Sequence, residues 1–289
     1  MRRMITLIST VLLLSFCYGV LAEQKQDTIS VRGARPVSDA AIELGKRYNW
    51  VIAYEDPQYE YAGDIEDATQ RVRKDIKPGE QVEDSKRVIL PRVKELSVTF
   101  PQPSTPNDIT AELQVTKSLV DAYERKEGTT FEVRRTPNRV EIVPAMFRRA
   151  SGELQPAKPL LDTLIRMSPD DRNGATFLRV LCEELQGQTG VKVFPGMFPQ
   201  NAFAQYHTKA EYENISARQV LTEFLDGMPH GNRYTWALLF QPRYGYALNI
   251  RAVKEPTKPV EATPKTSSGP QRIIRETTSP LGTTVDVIR

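Results

Sequence analysis

Residues 34–57 read ARPVSDAAIELGKRYNWVIAYEDP, and the way this stretch divides decides the fold. Val37, Ala40, Ala41, Leu44 and Tyr48 recur at i, i+3, i+4, i+7 and i+11, one face of a helix. Pro36 and Ser38 suit its start. Asn49 stands where it stops, because Asn tolerates the left-handed backbone of a helix end. Trp50, Ile52 and Tyr54 then alternate with Val51 and Ala53, which predicts a strand. Just upstream, DTISVRG is a candidate short edge strand.

The same figure returns in FLRVLCEELQGQTGVKVFP, Phe177 to Pro195. Leu178, Leu181, Cys182 and Leu185 fall on the helical positions of Val37, Ala40, Ala41 and Leu44. In that register Gly190 meets Asn49, so each copy ends its helix on a residue that tolerates positive φ. Val191 and Val193 meet Trp50 and Ile52. The parallel continues downstream. ELSVTFP predicts a strand, and a helix follows from Asp108 to Glu127, with Ile109, Leu113, Thr116, Val120 and Tyr123 on one face and Gly128 at its end. TTFEVRR, a TPN turn and RVEIVP predict a hairpin. In the later half AQYHTKAEYENI reads as strand-like, and SARQVLTEFLDGM as a helix capped by Ser216 with Ala217, Val220, Leu221, Phe224 and Leu225 inward. RYTWALLF, a QPRYG turn and YALNIR close it as a second hairpin. A repeat on this scale implies two related modules rather than a solenoid.

The ends and the composition set the setting. MRRMITLISTVLLLSFCYGVLA, residues 1–22, has a basic start, an apolar middle and a cleavage-like end, the pattern of a signal peptide. Nothing later approaches the roughly 20 apolar residues that span a bilayer. The formal net charge of +3 in 289 residues, without a long basic run, argues against a nucleic-acid partner. Beyond the signal segment only Cys182 remains, which excludes an intrachain disulfide there. Residues 254–289, rich in Pro, Thr and Lys, predict a disordered tail.

The helix, GVKV-type strand, strand, helix and terminal hairpin resemble the short secretin/TonB N-terminal domain, the STN domain, and secretin N-domains. QTGVKVFP, ISARQVLTEFLDGM and YTWALLF carry the better match, and RPVSDAAIELGKRYNWVIAYEDP a looser one. The resemblance implies small α/β modules that make protein–protein contacts in the bacterial envelope, and no catalytic residues. No β-barrel or channel sequence follows, so transport does not carry over.

The residues that carry chemistry are few. Cys182 lies on an apolar helical face opposite a small Ala41 in the other copy, which predicts packing rather than nucleophilic work. His207 and His230 are far apart with no Cys pair nearby, so no zinc site is expected. SPDDRNG, Ser168 to Gly174, reads as a turn because Arg172 stands where a calcium ligand is needed. The halves differ most at an insertion, residues 57–93, absent from the second copy. Glu55, Asp56, Glu60, Asp64, Glu66 and Asp67 in and beside it predict a solvated charged loop, balanced by Arg71, Arg73 and Lys74. Tyr59 and Tyr61, and less so Tyr54, which can face the core, are the candidate binding residues there.

The expectation is therefore an α+β chain of two small modules, 27–148 and 154–253, each with two helices packed on short mixed β-sheets. The expected role is a non-catalytic, exported protein-interaction protein of the periplasm or outside of a Gram-negative-type cell, with an envelope protein as partner and no cofactor or metal. The alternative is a small-molecule or glycan-binding protein with a cleft between the modules.

Overall fold

The computed structural model describes residues 25–253, except 78, 107, 129 and 229–232, together with the strand residues 277–279 and 282–284. The expected signal peptide, His230 and, those six residues apart, the expected disordered tail lie outside the described residues. The class is α+β.

The first half runs β1 (Gln26–Gly33), α1 (Pro36–Tyr48), β2 (Ile52–Glu55), β3 (Ile65–Asp67), α2 (Thr69–Val72), β4 (Ile89–Pro91), β5 (Lys94–Pro101), α3 (Ile109–Glu127), β6 (Phe131–Thr136) and β7 (Arg139–Pro144). A small connecting hairpin, β8 (Met146–Arg148) and β9 (Leu154–Pro156), leads on. The second half runs β10 (Leu164–Met167), β11 (Arg172–Asn173), α4 (Gly174–Thr189), β12 (Val193–Pro195), α5 (Gln200–Gln205), β13 (His207–Thr208), β14 (Tyr212–Ser216), α6 (Ala217–Asp226), β15 (Arg233–Gln241) and β16 (Gly245–Val253). These elements belong to one compact unit. The described residues of a separate unit form the antiparallel pair β17 (Thr277–Ser279) and β18 (Gly282–Thr284).

The two halves repeat in register. In each, the helix ends on a left-handed residue, Asn49 at φ 60° and Gly190 at φ 70°. The following strand lies parallel to the last strand of a hairpin: Ile52 pairs with Val140 as Val193 pairs with Tyr246, and Tyr54 with Ile142 as Pro195 with Leu248. Each half also has a separate two-stranded antiparallel sheet, β1 with β5 and β10 with β14. The buried faces agree as well. Val37, Ala40, Ala41 and Leu44 match Leu178, Leu181, Cys182 and Leu185, all buried. Glu112, Val115, Thr116, Leu119, Val120 and Tyr123 match Ala217, Val220, Leu221, Phe224, Leu225 and Met228.

The halves are fused by a single sheet of order β12-β16-β15-β2-β7-β6. At its seam β15 runs parallel to β2, with Ala237 opposite Tyr54 and Leu238 opposite Glu55. Each half contributes its three strands in the same lateral order, but the seam reverses their direction. A half-turn about an axis lying in the sheet, across the strands, plus a shift along that axis, therefore superposes the halves. The operation turns the sheet over. Ile52, Tyr54, Phe131 and Ile142 join α1 and α3 in one core, while Ala53, Trp236, Leu238 and Leu248 join α4 and α6 in the other, on the opposite face.

Several expectations change. Ile52–Glu55 is buried on both faces rather than alternating, as a strand must be with parallel neighbours on either side and helices above and below. On α3 the inward stripe is rotated: Ile109 is exposed, and Glu112 turns inward to accept the Val51 N–H at 3.0 Å and to pair with Arg135. AQYHTKAEYENI is not one strand: its first two residues end the helix Gln200–Gln205, which plants Phe203 beneath Phe224 and Tyr234, and the rest divides into β13, paired with β11, and β14, paired with β10. Gly174 is required there, since a Cβ would sit 2.8 Å from the Phe203 carbonyl oxygen. The insertion is not an open loop. Its ends zip together as β3 and β4, with Ile65 opposite Pro91.

The two ends of the large sheet differ. β12 has three residues, includes Pro195, and is followed by Met197, whose N–H is taken by the Asn249 side chain at 2.9 Å. β6 is six residues long and, among the described residues, pairs only with β7.

Candidate functional site

The seam is where the sequence repeat breaks down chemically. Glu55 ends β2 and Asp56 follows it, and their side chains go to different polar clusters. Both are fully buried, although the sequence placed them with the solvated charges of the insertion.

Arg218 of α6 answers the first. Its guanidinium donates to Glu55 Oε2 at 2.6 Å, Glu141 Oε2 at 3.1 Å and Asp162 Oδ1 at 2.6 Å, and lies 5.3 Å from the Trp236 ring centroid. Glu55 Oε1 also accepts the backbone N–H of Leu160 and Leu161. Arg134 of β6 adds a 2.7 Å bond to Asp162 Oδ2. Burial pushes the carboxyls of Glu55 and Glu141 above the usual range against the pull of Arg218. Glu141 Oε1 has no partner among the described residues.

Asp56 is answered from the other side. Its N–H bonds Leu238 O at 2.8 Å, and Oδ2 accepts Phe240 N at 2.9 Å and Arg35 Nε at 2.5 Å. Arg35 Nη2 meanwhile donates to Phe240 O. Tyr54 and Tyr59 both donate their hydroxyls to Asp56 Oδ1, at 2.7 and 3.1 Å. Two of the three candidate tyrosines are thus brought together, but their hydroxyls bond inward. Tyr54 is buried against Phe131, and Tyr59 is half-buried beside Phe240. The third, Tyr61, is half-buried under the Arg148 guanidinium and against Gly152.

The insertion stands at this end of the seam. Arg148 and Lys94 hold Asp64, Arg71 holds Glu66, and Arg243 of the β15–β16 turn reaches Asp84 at 3.7 Å. At the other end of the seam opens a cleft of about 400 Å³ lined by Trp50, Glu112, Arg135, Asn138, Asp226 and Arg233 among others. Arg139 lies in its wall, bound through Nη2 to Asp226. Its Nε and Nη1 have no partner among the described residues, and burial lowers its pKa.

The remaining candidates lie elsewhere. Cys182 is buried in the second core, where burial, with Glu183 nearby, pushes its thiol up to about 12. His207 is exposed and contacts Asp171 at 3.0 Å. Asn173, in the segment read as a turn, caps α4 by accepting the Thr176 N–H, and Arg172 ties back to Ser168 O. Among the described residues no group of three or more His, Cys, Asp or Glu is placed to hold a metal, and no helix is long and apolar enough to cross a membrane.

Arg218 escaped the sequence reading because it sits one step from Ala217 on an otherwise apolar stripe. That placement was its only local signal. The chain matches no protein-family model, no curated protein and no solved structure.

Proposed function

We propose that the chain is a non-catalytic, exported interaction protein of the bacterial envelope, built from two STN-like modules locked into one body. One observation carries this reading. The insertion, the large departure from the repeat, rests on the rigid seam and turns a charged surface outward, with Asp84 and Glu83 among its most exposed side chains. The buried ionisable groups of the seam bond mainly to each other, as befits a scaffold rather than a reaction centre. The partner is an envelope protein that reads the charged insertion.

Excision tests it. Because Ile65 and Pro91 are paired, residues 66–90 can be replaced by an Asn-Gly turn that leaves Tyr59, Tyr61 and Asp64 in place. The expected outcome is a folded protein, with an unchanged thermal midpoint, that loses its crosslinked partner in cells. An undiminished crosslink would refute the reading.

The cleft favours a second reading, a periplasmic binder of small molecules or glycans. There, Arg135→Ala with Asn138→Ala abolishes ligand-induced thermal stabilisation without altering the partner crosslink.

A further inference from the structure

The strand β6 repeats β15. Val133 pairs with Ile142 as Leu238 pairs with Leu248, in matching hairpins. In β15 the edge away from the hairpin is occupied: β2 lies along it, and Leu238 O accepts the Asp56 N–H. Among the described residues no strand lies along the same edge of β6. The turn Pro137-Asn138 is two residues long and closes on Thr136 opposite Arg139, so Glu132, Arg134 and Thr136 direct their backbone groups to β7. The N–H and C=O of Phe131, Val133 and Arg135 therefore face outward. No hydrogen bond among the described residues engages them.

An edge of this kind invites another strand, and its side chains indicate which. About Val133, FEVRR is self-complementary in charge when two copies run antiparallel. With Val133 opposite Val133 of a second chain, the outward groups exchange hydrogen bonds at Val133 and between Phe131 and Arg135. Glu132 then falls opposite Arg134 at the closer, non-hydrogen-bonded positions, twice by symmetry. Glu132 is half-exposed, and it already reaches Arg134 of its own chain at 2.9 Å, so both charges lie together on one face. A parallel partner strand would not give this match. We infer that β6 is a self-association edge, joining two copies of the chain about a two-fold axis through Val133 into one continuous sheet. Such a strand-to-strand contact is small, and the dimer belongs to the weak, concentration-dependent class. The inference is independent of the envelope partner proposed above, because the insertion is not part of β6.

The test is sedimentation equilibrium of the purified chain up to high micromolar concentration. The expected mass is that of two chains. Val133→Pro removes an N–H that the fold does not use, at an edge where proline is tolerated. It deletes both central hydrogen bonds of the contact and is expected to weaken association about tenfold or more. Glu132→Lys alone and Arg134→Glu alone each place like charges opposite each other and should sediment as monomers. Mixed in equal amounts they restore both opposite-charge pairs, and the dimer should return. Thermal unfolding of each variant checks that the chain still folds, which matters for Arg134 because it also holds Asp162. A wild-type chain that stays monomeric throughout, or a dimer indifferent to Val133→Pro and to the charge exchange, overturns the inference.

Discussion

The two halves share a framework and divide its chemistry unequally. In each half two long helices, a two-stranded sheet and three strands of the large sheet coincide, yet the positions of Glu55 and Asp56 are held in the second half by Gly196 and Met197. Arg218 is matched in the first half by Leu113, and Arg35 in the second by Thr176. The buried charges of the seam are thus not part of the module. They are added where one copy meets the other, and each side supplies what the other lacks. Apolar faces build the units, and ionic groups specify their joint. A buried ion pair adds little net stability over apolar packing, but removing one partner leaves an uncompensated buried charge and is costly.

Breaking the joint should hurt most. Arg218→Met leaves Glu55, Glu141 and Asp162 without their shared cation and is expected to cost about 3–5 kcal/mol in urea unfolding. A loss below about 1 kcal/mol would mean that the cluster is dispensable. The repeated framework should respond more mildly. Gly190→Ala forces a Cβ into a left-handed residue with open space around it and should cost about 1–2 kcal/mol. Gly190→Asn, which copies the first half, should cost clearly less. If the two variants are equal, the equivalence of Asn49 and Gly190 fails. The smallest effect concerns pH. Burial raises the Glu141 carboxyl, so its proton favours the folded chain. That contribution is complete below the ordinary value of 4.5 and is lost as pH rises through the raised one. Glu141→Gln should therefore flatten the decline of stability as pH rises above the ordinary value of 4.5. An unchanged slope would show that Glu141 is ionised in the fold throughout.

Most of the framework was legible in the sequence because its signals are local. Periodic faces, the Ser216 cap, the left-handed ends at Asn49 and Gly190 and both hairpins depend on residues a few positions apart. The phase of α3 was misread where Glu112 displaced an apolar neighbour for a bond to Val51, a partner 61 residues away. The seam was illegible for the same reason on a larger scale. Glu55 meets Arg218 across 163 residues, and without that partner its charge reads as surface. Tyr59 followed Asp56 into the seam and ceased to look like a free contact residue. The insertion kept its standing as the distinguishing segment, but as a zipped structure rather than a loop.

Pro195 has a consequence for how many neighbours the molecule can have. Two halves joined head to tail, with each repeat turning the sheet over, describe a pattern without a natural last member. Proline at the position of Tyr54 withholds the donor that the seam uses, and Asn249 consumes the next one at Met197. One end of the sheet is thus terminated, as a chain stopper terminates a growing polymer. If β6 pairs with a second copy as inferred, this sheet offers a single open end to such growth, and assembly through it would stop at a pair.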